Sequence, residues 1–386
     1  MEPYHILIAP NAFKNSLDAE AVALAIGEGL KRSDLSCTCE TFPIGDGGDG
    51  TGDLIIKKCG GVLVSGDVDD PLGRTITASF GLIDEGGSKT AVIEMANAAG
   101  LRLLTPSELN PLRTNSFGTG EQIRLALDKG ATRIIIGMGG SATVDGGTGM
   151  LRALGIRFLD EKGTELVSLP EDLQRLATID VAGLDDRIGG CEIIVLCDVN
   201  NLLLGEEGAA AVFGPQKGAT PEAVAKLEAA LRQLAEVTRR QLGKDLTTLK
   251  HGGTAGGAAA GLYGFLDAKL VNGIDYFLEL TGFDKALERA DLVITGEGSI
   301  DEQTLQGKGP YGVAYMAKQK GLPVLAVAGK VPLADSEGLQ EYFDVLQPIG
   351  NEPADLSVAL RHTMENLVRT SRGIGNLLAL SRRQSR

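Results

Sequence analysis

The sequence predicts an α/β chain: a discontinuous Rossmann-like domain, with a parallel sheet covered by helices on both faces, and a second α/β domain inserted into it. Three observations lead there. Short aliphatic and β-branched runs, such as Ile134 to Ile136, empty into glycine-rich polar loops. Strands of this kind alternate with helical stretches near both ends of the chain, whereas Val62 to Met95 reads as extended segments joined by the turns D-D-P-L-G-R and D-E-G-G-S-K. Finally, 53 glycines beside only 4% aromatic residues suit an enzyme with many tight turns better than a sandwich or a module with aromatic platforms.

Taken in order, His5 to Pro10 is a short apolar strand, followed by N-A-F-K-N-S and a helix. Ser16 is placed to cap that helix, with Asp18 and Glu20 in its first turn and Val22, Ile26 and Leu30 on one face. A second strand, Glu40 to Ile44, leads into the loop of Asp46 and a helix near Gly50 to Lys58. After the extended middle come a helix within Gly118 to Lys129, a strand at Ile134 to Ile136, a short strand at Ile156 to Leu159, and another at Glu192 to Cys197. Thr220 to Gly243 carries the clearest helix signals: Thr220 as N-cap, Pro221 at the first position, apolar Val224, Leu227, Leu231, Leu234 and Val237, and Gly243 as the stop. The parallel-sheet style resumes with Leu292 to Thr295, Val324 to Val327 and Val345 to Ile349, and a final amphipathic helix uses Leu356, Leu360, Met364, Leu367 and Val368. These similarities assign residues 1–75 plus 288–386 to the Rossmann-like domain and 76–287 to the inserted one. The active-site cleft is expected between them, where strand ends converge.

The totals exclude several functions. A formal charge of −14 argues against nucleic acid or an anionic membrane as partner, while small anions need only local cations such as Lys14, Lys217, Lys308 and Lys330, each in a loop. Five cysteines without a CxxC pair argue against structural zinc and a disulfide framework. The start M-E-P-Y-H-I-L-I-A-P lacks the pattern of an export signal, and no apolar run reaches the roughly 18 residues of a membrane span. The expectation is a cytoplasmic enzyme acting on small molecules. Oligomeric state is not written in the sequence.

The richest motif is R-I-I-I-G-M-G-G-S-A-T-V-D-G-G-T-G, Arg133 to Gly149. Its glycines let backbone N–H groups approach an anion closely, and Ser141, Thr143 and Asp145 add hydroxyls and a charge, which points to a phosphate or nucleotide site. Turns of this composition also arise for geometric reasons alone, but related loops recur at Pro43 to Thr51, Thr295 to Asp301 and Ala326 to Val331. A rival reading takes Gly137, Gly139 and Ala142 as G-x-G-x-x-A, with Asp160 at the end of the next strand, hence a nicotinamide-dependent oxidoreductase. Against it, Asp145, Gly146, Gly147 and Gly149 interrupt the place where the helix should begin. No Walker A motif, nucleophile elbow or zinc helix is present, and the three histidines read as bystanders.

Together the loops carry a resemblance. P-N-A-F-K-N-S-L, P-I-G-D-G-G-D-G-T, N-S-F-G-T-G-E-Q-I, G-M-G-G-S-A-T-V-D-G-G-T-G-M-L, C-D-V-N-N, F-G-P-Q-K-G-A and D-L-V-I-T-G-E-G-S-I-D-E-Q-T-L-Q-G-K-G-P resemble the type I glycerate kinase family, in order and over nearly the whole chain. The resemblance implies phosphorylation of D-glycerate by ATP with Mg²⁺, most readily at the 2-hydroxyl. The alternatives are a 3-phosphoglycerate-forming enzyme and a non-catalytic small-acid binding protein. Departures from the usual family blocks stand at Asn11, Ala12, Asn15, Val144 and Ser299.

Phosphoryl transfer asks mainly for positioning, charge neutralisation and a group to accept the proton of the attacking hydroxyl. The residues expected to supply these are as follows. Asp46 is the base, Lys14 faces the glycerate carboxylate or the transferred phosphoryl, and Asp301 is a further catalytic carboxylate, sharing metal or hydroxyl contacts with Glu297 on the same short loop. Asn11, Ser16 and Asp145 bind substrate. Gly139, Gly140, Ser141, Lys217 and Glu297 bind the nucleotide, and Asp198, at a strand end, holds the metal. Each has a plainer reading: a turn-forming Asp46, a helix-capping Asp301, an Asx-turn at Asp198.

Overall fold

The computed structural model describes residues 3–334 and 336–384. In chain order its strands are β1 (Tyr4–Ile8), β2 (Cys37–Thr41), β3 (Val62–Asp69), β4 (Thr75–Glu85), β5 (Ser88–Glu94), β6 (Arg133–Gly137), β7 (Arg157–Leu159), β8 (Thr178–Asp180), β9 (Glu192–Cys197), β10 (Lys269–Asn272), β11 (Leu292–Ser299), β12 (Val324–Lys330) and β13 (Val345–Pro348). The chain divides into two compact units, Met1–Asp46 with Ile274–Arg386, and Gly47–Gly273. The discontinuous arrangement matches the sequence reading, but the boundaries fall at 46 and 273 instead of 75 and 287. The reason is β3, which pairs along its whole length with β4 and so belongs to the second sheet.

Unit 1 is built on a five-stranded parallel sheet in the order β13-β12-β11-β1-β2. Parallel strands need both faces covered. On one face Ile6, Ile8, Ile294 and Val327 pack with Val22 and Ile26 of the helix Ala19–Lys31 and with Leu367 and Ile374 of the helix Thr363–Gln384. Leu7 and Val293, which alternate to the other face, are equally buried. The order reverses between β11 and β1, so their carboxyl ends open a crevice at a topological switch point.

Unit 2 has a mixed six-stranded sheet, β10-β9-β6-β5-β4-β3, parallel from β10 to β5 and antiparallel through β4 and β3, as the turn signals predict. Its core joins Ile93, Ile134, Ile136, Ile193 and Val195 to Phe80, Met150, Leu234 and Leu262. The helix Pro221–Leu242 forms where its signals placed it: Thr220 accepts from the Ala223 N–H at 3.3 Å, and Gly243 takes φ +69°.

Several local expectations shift. The cap of the helix Ala19–Lys31 is Asp18, whose Oδ1 accepts from the Ala21 N–H at 2.7 Å; Ser16 lies before the cap position. The second strand ends at Thr41, and Phe42 to Ile44 continue as extended chain beside β1. The last helix is two, Leu356–Arg361 and Thr363–Gln384, with Leu356 largely exposed. Asp160 sits beyond β7, which pairs antiparallel with β8 outside the parallel sheet, and its Oδ1 accepts from the Lys162 and Thr164 N–H groups at 2.9 Å. That is a turn carboxylate, and the dinucleotide reading of Gly137, Gly139 and Ala142 loses its acidic partner.

Candidate active site

In unit 1 the site grows out of the β1 and β11 switch point. Beyond β1 the chain stays extended, and the N–H groups of Ala9 and Asn11 donate to Ile294 O and Gly296 O, both at 2.8 Å. On the other side of β1 the Phe42 and Ile44 N–H groups donate to Ile8 O and Pro10 O, which delivers Asp46 to the same end. Asn11, only 8% exposed, uses Oδ1 to accept from the Ala12 N–H and donates from Nδ2 to Asp46 Oδ2, both at 2.8 Å. The helix Gly309–Gln319 starts against this pair: a Cβ at Gly309 would fall 2.9 Å from Asn11 Nδ2. Asn15 takes φ +64°, a left-handed conformation that favours Gly and tolerates Asn.

Glu297 sits on β11 opposite Ala328, half-buried by its neighbours, and its Oε1 accepts from Thr304 Oγ1 at 3.0 Å. Burial pushes its carboxyl up to about 7; Lys308 and the Thr304 hydroxyl pull down, Asp46 pushes up and Lys14 pulls down. Two carboxylates and two lysines therefore share one electrostatic neighbourhood. Of the expected residues, Asn11, Lys14, Asp46 and Glu297 are brought together. Two others in this unit are not free for the roles expected of them. Ser16 Oγ donates to Leu360 O at 2.7 Å, and Asp301 caps the 3-10 turn Glu302–Gln306, its Oδ1 accepting from the Gln303 N–H at 2.9 Å and its N–H donating to Thr304 Oγ1 at 3.2 Å.

In unit 2 the carboxyl ends of β5, β6 and β9 gather a second group. Gly139 follows β6, and a Cβ there would lie 2.3 Å from the Asp49 backbone nitrogen, so the loop of Gly47 to Gly50 and the loop after β6 touch backbone to backbone. Gly140 takes φ +69° and Ser141 is buried. Lys217, only 2% exposed, donates from Nζ to Ser141 Oγ at 2.9 Å and to Thr143 O at 2.7 Å. Burial brings its ammonium down to about 7, against the opposing pull of Asp145. Asp198 follows β9 half-buried.

Asp145, expected against substrate, is fully buried. Its Oδ2 accepts from the Ser116 N–H (2.9 Å), Ser116 Oγ (2.7 Å) and the Gly149 N–H (3.1 Å), and its Oδ1 from the Gly147 N–H (3.1 Å). That carboxylate fixes the loop from within. Sequence reasoning missed Glu94 at the end of β5. Its oxygens accept from the Gly50 N–H at 3.1 Å and the Gly52 N–H at 2.5 Å, at the start of the helix Thr51–Lys58. Burial, offset by those two bonds and reinforced by Asp49 and Asp53, raises its carboxyl to about 7. The available signal was a carboxylate closing the apolar run A-V-I-E. Among the described residues no three His, Cys, Asp or Glu side chains form a metal cluster, and no helix is long and apolar enough to cross a membrane.

Comparison with known proteins gives a consistent result. A profile of the glycerate kinase family matches residues 6–379. The chain is 43% identical over 377 residues to a glycerate kinase of Bacillus subtilis (strain 168), covering 98% of each. It is 41% identical over 384 residues to a glycerate 2-kinase of Escherichia coli (strain K12), covering 98% of this chain and 99% of that one. A crystal structure described as glycerate kinase 2 from Salmonella typhimurium LT2 superposes with a TM-score of 0.82 at 42% identity, over 99% of this chain and 100% of the other.

Proposed function

The chain belongs to the glycerate kinase family, and on that premise we propose that it transfers the γ-phosphoryl group of ATP to the 2-hydroxyl of D-glycerate, giving 2-phospho-D-glycerate and ADP. The observation that carries the reading is the unit 1 cluster: Asp46 and Glu297 with Lys14 and Lys308 at the switch point of a parallel sheet. Preference for the 2-position draws its support from the Escherichia coli relative, described as a glycerate 2-kinase.

In this reading Asp46, its Oδ2 fixed by Asn11, accepts the proton of the attacking hydroxyl. Such a base typically contributes roughly 10²–10⁴ in rate. Lys14 neutralises the glycerate carboxylate or the phosphoryl in flight, and Lys308 adds a second positive charge. Nucleotide phosphates are assigned to the backbone of Gly139 and Gly140 with Ser141 and Lys217, because dense glycine and a buried cation suit an anion. Mg²⁺ rarely takes a dedicated protein cage and is usually held by one or two carboxylates plus substrate phosphates. Asp198, half-buried at the end of β9, fits that habit and would hold the ion, which would neutralise phosphate charge when bound.

The test is ³¹P NMR of the protein incubated with D-glycerate, ATP and Mg²⁺, beside an Asp46→Asn sample of verified fold. A 2-phosphoglycerate signal that disappears in the variant supports both the reaction and the base. A 3-phosphoglycerate signal overturns the regiochemistry, and unconsumed ATP overturns the substrate.

A further inference from the structure

Asn11 connects the two carboxylates of unit 1. Its backbone N–H is bonded to Gly296 O, one residue before Glu297 on β11, while its side chain holds Asp46 Oδ2. Asn11 thus ties the Asp46 carboxylate to the strand that carries Glu297, whose own carboxylate accepts from Thr304 Oγ1. The charged and polar groups around Glu297 come from several neighbouring elements. Lys14 lies after β1, Asp46 after β2, Thr304 in the 3-10 turn and Lys308 at the start of the helix Gly309–Gln319, while β12 sets Ala328 opposite Glu297 and Lys330 opposite Ser299. Two carboxylates and two lysines share this neighbourhood, so one added proton shifts the charge of the whole cluster.

We propose that Asp46 and Glu297 act as a coupled acid–base pair, in which Glu297 is the second holder of the proton given up by the attacking hydroxyl. During transfer the hydroxyl O–H bond breaks and an O–P bond forms. The bond from the γ-phosphorus to the leaving oxygen of ADP breaks, its electron pair staying on ADP. The proton resides on the pair and returns to solvent with product release. Raised to about 7 by burial and by Asp46, Glu297 is matched to holding a proton near neutrality. Protons taken up by interacting carboxylates belong to the pair as a whole. The inference rests on the phosphoryl-transfer reading above and deepens it.

The experiment has two arms on the full chain. Carbon-13 labelling of Glu and Asp carboxyls, followed by NMR titration without substrate, is expected to show one carboxyl titrating near pH 7. That signal vanishes in Glu297→Gln, which keeps an acceptor for Thr304, and moves to lower pH in Asp46→Asn. In the second arm, the acid limb of the kcat/KM profile for glycerate falls by about one pH unit or more in Glu297→Gln, with kcat reduced about tenfold or more. A Glu297 titration that ignores Asp46→Asn overturns the pair. So does a Glu297→Gln enzyme whose pH profile is unchanged and whose only defect is a higher KM for ATP. If wild type leaves glycerate unphosphorylated while the carboxyls titrate together, the coupling stands and the substrate reading falls.

Discussion

Asn11 Nδ2 donates to Asp46 Oδ2 at 2.8 Å, so the carboxylate expected to act as base is held by a side chain that can give a proton-bearing N–H and never take a charge. Exchanging amide for carboxylate would set two acids at hydrogen-bond distance, which ionise together only at a cost.

The Asn11→Asp variant is therefore expected to remain active, with the acid limb of its kcat/KM profile moved upward by about one unit or more. A pH series from 5.5 to about 9.5 measures it, with wild type beside it. An unshifted limb would mean that Asp46 does not carry the reaction's proton.

Gly139 tests the backbone contact in unit 2. A methyl group there would lie 2.3 Å from the Asp49 nitrogen and 2.5 Å from the Gly48 carbonyl carbon, and neither backbone atom can swing aside. Gly139→Ala is expected to cost about 1–3 kcal/mol and to lower activity by displacing the loop of Gly47 to Gly50. Gly189, whose added Cβ meets nothing within 4 Å, supplies the control. Gly189→Ala should stay within about 0.5 kcal/mol of wild type. Urea unfolding of the two variants decides the matter, and equal stabilities would contradict the contact.

How much of this was legible beforehand depends on whether the cause was local. Thr220, Pro221 and Gly243 bounded their helix correctly because a cap and a stop act within one turn. Asn11, Lys14 and Asp46 were legible as candidates because polar residues just past buried strands fall at the carboxyl end of a parallel sheet, and the structure brings them together there. By contrast, Asp145 looked like a substrate-binding carboxylate and Asp301 like a catalytic one, each in a glycine-rich loop. Their oxygens go instead to backbone N–H groups: those of Ser116, remote in sequence, and of Gly149 for Asp145, and that of Gln303 for Asp301. Composition cannot separate an acid that anchors its loop from one that faces substrate. The misplaced boundary at residue 75 has the same origin: β3 declares its sheet only through pairing with β4.

Glu94 gives a stability signature with a definite sign. Its folded carboxyl lies near 7 against an ordinary value of 4.5, so the protonated form is the one folding favours. The contribution is complete below about pH 4.5 and is lost as pH rises through 7, a change of about 3 kcal/mol. Glu94→Gln does not titrate. It keeps one acceptor for the Gly50 and Gly52 N–H groups and sets an NH₂ against the other, which makes it less stable than wild type at low pH. Raising the pH from 4.5 to 7.5 should narrow the gap between the two in urea melts. A gap that stays constant or widens would show that Glu94 is ionised throughout.

Asp301 separates a capping carboxylate from a catalytic one. Its Oδ1 receives the Gln303 N–H at 2.9 Å, its own N–H reaches Thr304 Oγ1 at 3.2 Å, and the same hydroxyl donates to Glu297 Oε1 at 3.0 Å. Asn caps as well as Asp does, so Asp301→Asn should preserve the turn and hold kcat within about threefold of wild type. Asp301→Ala removes the cap, loosens Thr304 and with it the donor to Glu297. It is expected to cost about 1 kcal/mol in stability and to disturb the pH profile more than it lowers kcat. If Asp301→Asn instead lost activity on the scale of Asp46→Asn, with its melting temperature unchanged, the negative charge of Asp301 would be required in the reaction, and the capping geometry would be a second use of a catalytic group.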